Sequence, residues 1–353
     1  MGPLTRLVPR RLGPVALERA RDEPVVLLQG PRSVGKSTLL SDLADEVGAR
    51  VLDLDDLATR DVVSADPATF VPGPEPVFID EYQHAPVVLD AIKAELNRDG
   101  RPGRFVLTGS ARHESLPIAA QALTGRLHRL PVYPLSQGEI VGIDEQLLAR
   151  ILAGGAAELS GRSSRTERED YIDCVVAGGF PMPLARKTAA GRSRWFDDYV
   201  RLTLERDVRE LGRVELASAL PKLLERLAGQ TGQVLNLAKA SQQLQISERT
   251  ADSYLRLLES VFLLRRLPAW STTLTSRSAS RPKVGEAVAR RRRGPSRAPL
   301  RQVHAPPEGW RCAADAHPWR RGMGSVSGDG LTRSPARQWS TAASNTGLKR
   351  HST

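Results

Sequence analysis

The chain has 353 residues, a formal charge of +11, 40% apolar residues and two cysteines. This length holds two or three domains, and the cysteine count excludes a disulfide scaffold and a cysteine-based zinc cluster. Residues 285–353 carry 13 basic and 4 acidic groups, a net of +9, which leaves +2 on the other 284 residues, so most of the charge excess that suggests nucleic-acid affinity belongs to the last fifth.

No apolar run nears the roughly 18 residues of a membrane span. The start, MGPLTRLVPRRL, lacks the apolar region of a signal peptide, and Arg6 breaks the myristoylation pattern. The expectation is a cytoplasmic protein with no membrane partner.

Over residues 1–145 short apolar runs alternate with amphipathic stretches. Strands are predicted at 24–29, 50–54, 76–80, 104–108 and 127–133, with helices between them such as 36–47 and 86–97. That alternation predicts an α/β domain with a parallel sheet covered on both faces, and VVLL and VFI suit buried central strands.

The first strand runs into Gly30-Pro31-Arg32-Ser33-Val34-Gly35-Lys36-Ser37, followed by Thr38 and an amphipathic helix. This is a complete G-x4-G-K-[ST] loop in its proper context. Its glycines let the backbone curl so that successive N–H groups face phosphate oxygens, and the helix start adds partial positive charge. Lys36 would reach the β- and γ-phosphates, and the Ser37 hydroxyl would ligate Mg²⁺.

The third strand ends in Asp80-Glu81, where Asp80 is placed to hold the Mg²⁺ shell and Glu81 to polarise an attacking water. At the tip of the fourth, in FVLTGS, Thr108 and Ser110 are both candidates for contacting the γ-phosphate or the water. In LTGRL, Arg126 could neutralise transition-state charge in its own subunit or a neighbour's, with Arg112 a weaker candidate and a surface or capping role the alternative for either.

Residues 146–166, with Gly154-Gly155 and GRSSR, read as a linker, and 167–284 as mostly helical, with apolar spacing through Leu220, Leu223, Leu224 and Leu227. Gly178-Gly179-Phe180-Pro181 reads as a tight turn after a helix, and Glu205-Arg206-Asp207 as an internal salt-bridge cluster. Residues 236–259 predict a helix-turn-helix capped by Ser247, with Ala251, Tyr254, Leu255 and Leu258 facing inward. The outer face, with Glu248, Arg249, Asp252, Ser253 and Arg256, is mixed in charge. It fits a winged-helix-like packing unit better than a DNA-reading surface.

Residues 285–353 are dominated by Arg, Ala, Gly, Ser and Pro and hold three of the five tryptophans without aliphatic partners. Such a stretch buries too little apolar area to offset its ordering entropy, and disorder is expected.

GPRSVGKSTLL, LDLDD, PVFIDEYQHAP, FVLTGSAR and LTGRL, followed by YPLSQGE, GGFPMPL, ERDVREL and RTADSYLRLLE, resemble in content and order a group of bacterial and archaeal AAA-superfamily ATPases. These join an N-terminal P-loop module to a C-terminal domain of unknown function, and the resemblance runs over roughly residues 10–284.

It implies a five-stranded AAA-type core in which the acidic strand and the Thr108 strand flank the P-loop strand, followed by the helical domain. It implies Mg-ATP rather than GTP; the segment Leu52-Asp53-Leu54-Asp55-Asp56 lacks the lysine of a guanine-reading motif. It also implies a sensor or finger role for Arg126, leaves a homo-oligomer open, and leaves the protein or nucleic-acid client unidentified. Hydrolysis that moves the helical domain is the favoured activity; the alternative is a non-hydrolysing switch or DNA-associated regulator acting through the helix-turn-helix.

Such proteins follow the strand after Arg281-Pro282-Lys283-Val284 with D-x-G-L and a further α/β portion. Here GEAVARRRRGPSRAPL follows instead. A frameshift near codon 284 in a GC-rich gene accounts for this; a basic tail that binds RNA or DNA, centred on Arg290 to Arg293, is the competing account. Translation of the other two frames downstream of codon 284 decides between them. The frameshift predicts D-x-G-L after a strand in one of these frames, and its absence from both rejects the idea.

Overall fold

The computed structural model describes residues 4, 6–110, 123–154, 166–208, 218–270 and 280–286. Arg112 and the tail beyond Glu286 lie outside the described residues.

Five strands make one parallel sheet: β1 (Val25–Gln29), β2 (Arg50–Asp53), β3 (Val77–Asp80), β4 (Phe105–Gly109) and β5 (Leu127–Pro131), in the order β2-β3-β4-β1-β5. Every residue of β1, β3 and β4 is buried, as their unbroken apolar runs require. The edge strands β2 and β5 are partly exposed.

The strand order corrects one expectation. The P-loop strand β1 is flanked by β4 and β5, and the acidic strand β3 lies one place further out. β4 comes between them, because Phe105 registers with Val25 on one side and Val77 on the other.

Side chains alternate across the sheet. Val25, Leu27, Ile79 and Leu107 face a core closed by α3 (Leu57–Ala65) and α4 (Val88–Leu96). Val26, Leu28, Phe78 and Val106 face the other way, toward α1 (Leu12–Ala20) and α2 (Lys36–Val47). This second core does not stop at α2. It continues through Phe180, Phe196, Tyr199 and Leu204 to Leu223, Leu227, Leu255 and Val284, so the helical part shares a core with one face of the sheet.

After β5 come α5 (Gln137–Val141) and α6 (Leu147–Leu152); the latter is a helix inside the stretch expected to be a linker. The helical part comprises α7 (Arg168–Ala177), α8 (Pro181–Leu184), α9 (Ala189–Leu202), α10 (Ala219–Ala228), α11 (Leu237–Gln243) and α12 (Glu248–Ser260). Strands β6 (Leu264–Leu267) and β7 (Lys283–Glu286) then pair antiparallel. The apolar stripe of α10 is wholly buried. Ser247 caps α12, its Oγ accepting from the Thr250 N–H at 3.0 Å.

Glu205-Arg206-Asp207 lies in a π-helical turn, Thr203–Asp207, that continues α9. Leu204 and Val208 are buried there, while Glu205 and Arg206 are exposed.

The GGFP segment docks the helical part onto the sheet. Gly178 ends α7, and the Leu135 N–H donates to the Gly179 carbonyl at 2.8 Å. A Cβ on Gly179 would lie 2.2 Å from the Leu135 carbonyl oxygen. Phe180 then enters a ring cluster with Trp195, Phe196 and Tyr199 at centroid distances of 5.6, 5.9 and 5.2 Å. Gly179→Ala is expected to force the two backbones apart and to lower unfolding stability by about 1–3 kcal/mol, the usual cost of overpacking. Urea unfolding measures it, and an unchanged midpoint would show that the contact does not form.

Candidate functional site

Parallel strands place their outgoing loops on one edge of the sheet, and three such loops meet there. The loop after β1 curls through Ser33 and Gly35, both with positive φ, +61° and +92°, and opens α2 at Lys36. Its base is pinned by the segment after β5. The Val132 N–H donates to the Gln29 carbonyl at 2.8 Å, and a Cβ on Gly30 would stand 2.2 Å from the Val132 carbonyl oxygen. Only glycine fits there.

Lys36 is 3% exposed. Its ammonium donates to the Pro31 carbonyl at 3.1 Å and lies 3.3 Å from Glu81 Oε1. The loop after β3 is held from β4: the Thr108 hydroxyl donates to Asp80 Oδ1 and accepts the Glu81 N–H at 2.9 Å. Glu81 itself sits at φ +48°, a left-handed conformation that costs a non-glycine residue energy and is common at working sites.

The loop after β4 brings Ser110, which is also buried. Gln83 ties the set together, its Nε2 donating to Glu81 Oε2 and to Ser110 Oγ, the latter at 2.9 Å. Both oxygens of the Glu81 carboxylate are therefore engaged, one by Lys36 and one by Gln83.

The two acids are tuned in opposite directions. Burial raises the Asp80 carboxyl above its ordinary value; hydrogen bonds from Ser37 and Thr108 offset this in part, and the charges of Glu81 and Asp53 add to it. Burial also acts to raise Glu81, but the Lys36 ammonium, hydrogen bonds with Gln83 and Ser110, and the charge of Arg32 outweigh it and leave the carboxyl below its ordinary value. Ser37 stands near enough to Asp80 to lower its carboxyl pKa, so two oxygen ligands of the kind a hard divalent cation prefers are neighbours. Among the described residues no cluster of three or more His, Cys, Asp or Glu side chains could hold a metal by itself, so a cation here would need oxygens from its ligand or from water.

Gly30 to Thr38, Asp80, Glu81, Thr108 and Ser110 are thus assembled at one edge. Thr108 is fully engaged with the β3 loop, whereas Ser110 joins the Glu81 side chain, which separates the two candidates. Arg126 is not brought to this edge. It precedes Leu127, which registers with Val25 at the entering end of β1, while the P-loop leaves from Gln29, four residues or roughly 13 Å further along. Its guanidinium donates to Asn97 Oδ1 at 2.8 Å. Arg126 thus lies away from the edge where the other predicted site residues meet.

Gln83 was not legible in the sequence, since a glutamine two residues past an acid reaches back only when the backbone turns through a left-handed residue. In the helix-turn-helix segment, Asp252 holds Arg256 at 2.6 Å and Arg266 at 3.6 Å.

Comparison with known proteins gives two family-model matches. Residues 22–141 match the model of an AAA domain, and residues 168–285 match a domain of unknown function, DUF8612. The chain joins an AAA-type P-loop domain to that C-terminal domain.

It is similar to uncharacterized proteins of Mycobacterium tuberculosis (Rv2008c) and Mycobacterium bovis (Mb2031c), each 28% identical over 283 residues, 79% of this chain. The chain spans 57% of the length of these curated relatives. Among solved structures it is similar to the Walker-type ATPase PABY2304 of Pyrococcus abyssi (16% identity, 82% of this chain and 97% of that one, TM-score 0.47). It is also similar to AMPPCP-bound DnaA of Aquifex aeolicus (13%, 70% and 87%, TM-score 0.32). Among the described residues no helix is long and apolar enough to cross a membrane.

Thr108→Val keeps the shape of the side chain but strands a buried carboxylate and a buried N–H. Expected is a stability loss of about 1–3 kcal/mol, read by urea unfolding; a variant as stable as the parent would show that the β4 clamp is not formed.

Proposed function

We propose that the chain is a Mg²⁺-dependent ATPase whose phosphate site is the edge formed by the loops after β1, β3 and β4, and that its nucleotide state is transmitted to the helical part. The observation that carries this is the meeting of a buried lysine, a hydroxyl and two differently tuned carboxylates around a P-loop.

The P-loop N–H groups and the start of α2 would receive the β- and γ-phosphates. Lys36 would exchange its Glu81 partner for phosphate oxygens, which frees Glu81 Oε1. Glu81 would then accept a proton from the attacking water, and the products would be ADP and phosphate. Gln83 and Ser110 would keep the carboxylate aimed, which makes them positioning residues rather than reacting groups. Ser37 and Asp80 would hold Mg²⁺, which would supply neutralisation of the phosphate charge. Arg126, lying off its own site, is left with a role toward a neighbouring copy or with the Asn97 contact alone.

The coupling route is short. Val132 supports Gly30 at the P-loop base, and three residues later Leu135 meets Gly179 of the helical part. Tyr133, between them, accepts a hydrogen bond from Arg265 of β6 through its hydroxyl, and from Arg10 through its carbonyl. A shift of the P-loop base would therefore reach α8, α9 and β6 through one four-residue strap.

Helices α11 and α12 precede the antiparallel β6–β7 pair, an order that supports the winged-helix-like reading, but Arg256 and Arg266 are answered by acids on their own unit. DNA readout through α12 therefore gains no support from the ion pairs.

Glu81→Gln is expected to retain Mg-ATP binding and to lower the turnover number by roughly 10²–10⁴-fold, while Lys36→Ala is expected to lose nucleotide binding. Phosphate release and equilibrium binding of a fluorescent ATP analogue measure both. Full turnover in Glu81→Gln would reject the assigned base.

A further inference from the structure

Several cations of the helical part are answered by acids. Arg201 pairs with Asp198 at 2.8 Å, Arg256 with Asp252 at 2.6 Å, and Arg266 with Glu259 at 2.6 Å. Among the described residues other cations of this part, such as Lys222 and Lys239, also lack an ion pair; one group differs in that three of its cations share a single concavity. Arg186, Lys187 and Arg194 converge, with Thr188 and Trp195, on a cleft of about 390 Å³ between the end of α8 and the first turns of α9. Among the described residues, none of these three cations has an ion-pair partner. Asp198, the acid on the rim, is already engaged by Arg201. The first turn of α9 contains no acid that would offset the cluster.

We infer that this cleft binds the phosphate backbone of single-stranded nucleic acid. Three unanswered positive charges around one concavity call for an anion, and arginine forks match phosphate oxygens. The shape argues for a polymer. Arg186, Lys187, Thr188 and Arg194 are all exposed, so a ligand would lie across the cleft, whereas sites for small molecules enclose most of their ligand.

Trp195 supplies the third element. It is partly buried and rigid, stacked on Tyr199 at 5.0 Å and 12° and braced by Phe180, with part of its indole on the cleft wall. Cationic side chains beside a fixed aromatic ring are the recurring means of holding single strands without reading their sequence.

The same rings pack behind the Gly179–Leu135 contact, so a strand in the cleft would sit one layer of side chains from the junction between the helical part and the sheet. The inference uses none of the phosphate-site residues and stands whether or not the chain hydrolyses ATP.

The test is fluorescence anisotropy of the full chain with a labelled 20-nucleotide single strand across a salt series. The parent is compared with Arg186→Ala/Lys187→Ala/Arg194→Ala and with the single variant Arg194→Glu; thermal melts confirm that both are folded. Three lost contacts predict at least tenfold weaker binding for the triple variant near physiological salt, with the slope of log K against log salt shallower by about 2. The single reversal predicts a smaller loss in the same direction. Photocrosslinking of a 4-thiothymidine strand is expected to label the peptide 186–198. Parental affinity and slope in the triple variant, or crosslinks confined to residues 287–353, would overturn the inference. So would tighter binding of the matching duplex, or displacement of the strand by polyglutamate at equal charge.

Discussion

The ion pair between Lys36 and Glu81 governs the phosphate edge. Both side chains are almost fully buried and lie 3.3 Å apart. A buried charge without a partner is expensive, and a buried pair is worth having only when the remaining donors and acceptors are also satisfied. Here Pro31 takes a second bond from the ammonium, and Gln83 occupies the other carboxylate oxygen. On the proposed function, a triphosphate would open this closed arrangement by offering Lys36 a better anion than Glu81. The same pair thus joins the β1 and β3 loops, and in the proposed mechanism its opening would release the carboxylate.

Strand β4 makes that pair achievable. By lying between β1 and β3 it brings Thr108 beneath Asp80 and the Glu81 N–H, and Ser110 beside the Glu81 side chain. On the far side of β1, the chain leaving β5 touches the P-loop base at Gly30 and the helical part at Gly179, each through a backbone approach that admits no Cβ. Packed contacts of this kind shift as units rather than deform gradually. The core from Val26 and Leu28 to Leu255 and Val284 is continuous across the AAA-type domain and its neighbour, as the proposed coupling between them requires.

Features carried by local pattern were legible in the sequence. All five strands fall within two residues of their expected ends, α2 spans the predicted 36–47, and the Ser247 cap forms as its position suggests. The P-loop and the two acids after β3 are likewise local signals, because their spacing follows from the backbone that makes them. What escaped depends on relations between distant segments. Which strand lies beside β1 is decided by packing, and so is the placing of Arg126 at the opposite edge. Gln83 reaches Glu81 only through a left-handed backbone turn. The meaning of Gly179 rests on Leu135, 44 residues earlier in the chain, and nothing near GGFP announces that partner.

The central claim is that this edge binds Mg-ATP, and the most direct measurement is thermal unfolding of the full chain with ATP, ADP and GTP, each with and without Mg²⁺. A ligand at about 100 times its dissociation constant stabilises a folded protein by about 2.7 kcal/mol. The account predicts a rise of several degrees in the melting midpoint with Mg-ATP, a smaller one when Mg²⁺ is withheld, and little with GTP. No shift with any of the three nucleotides would contradict it.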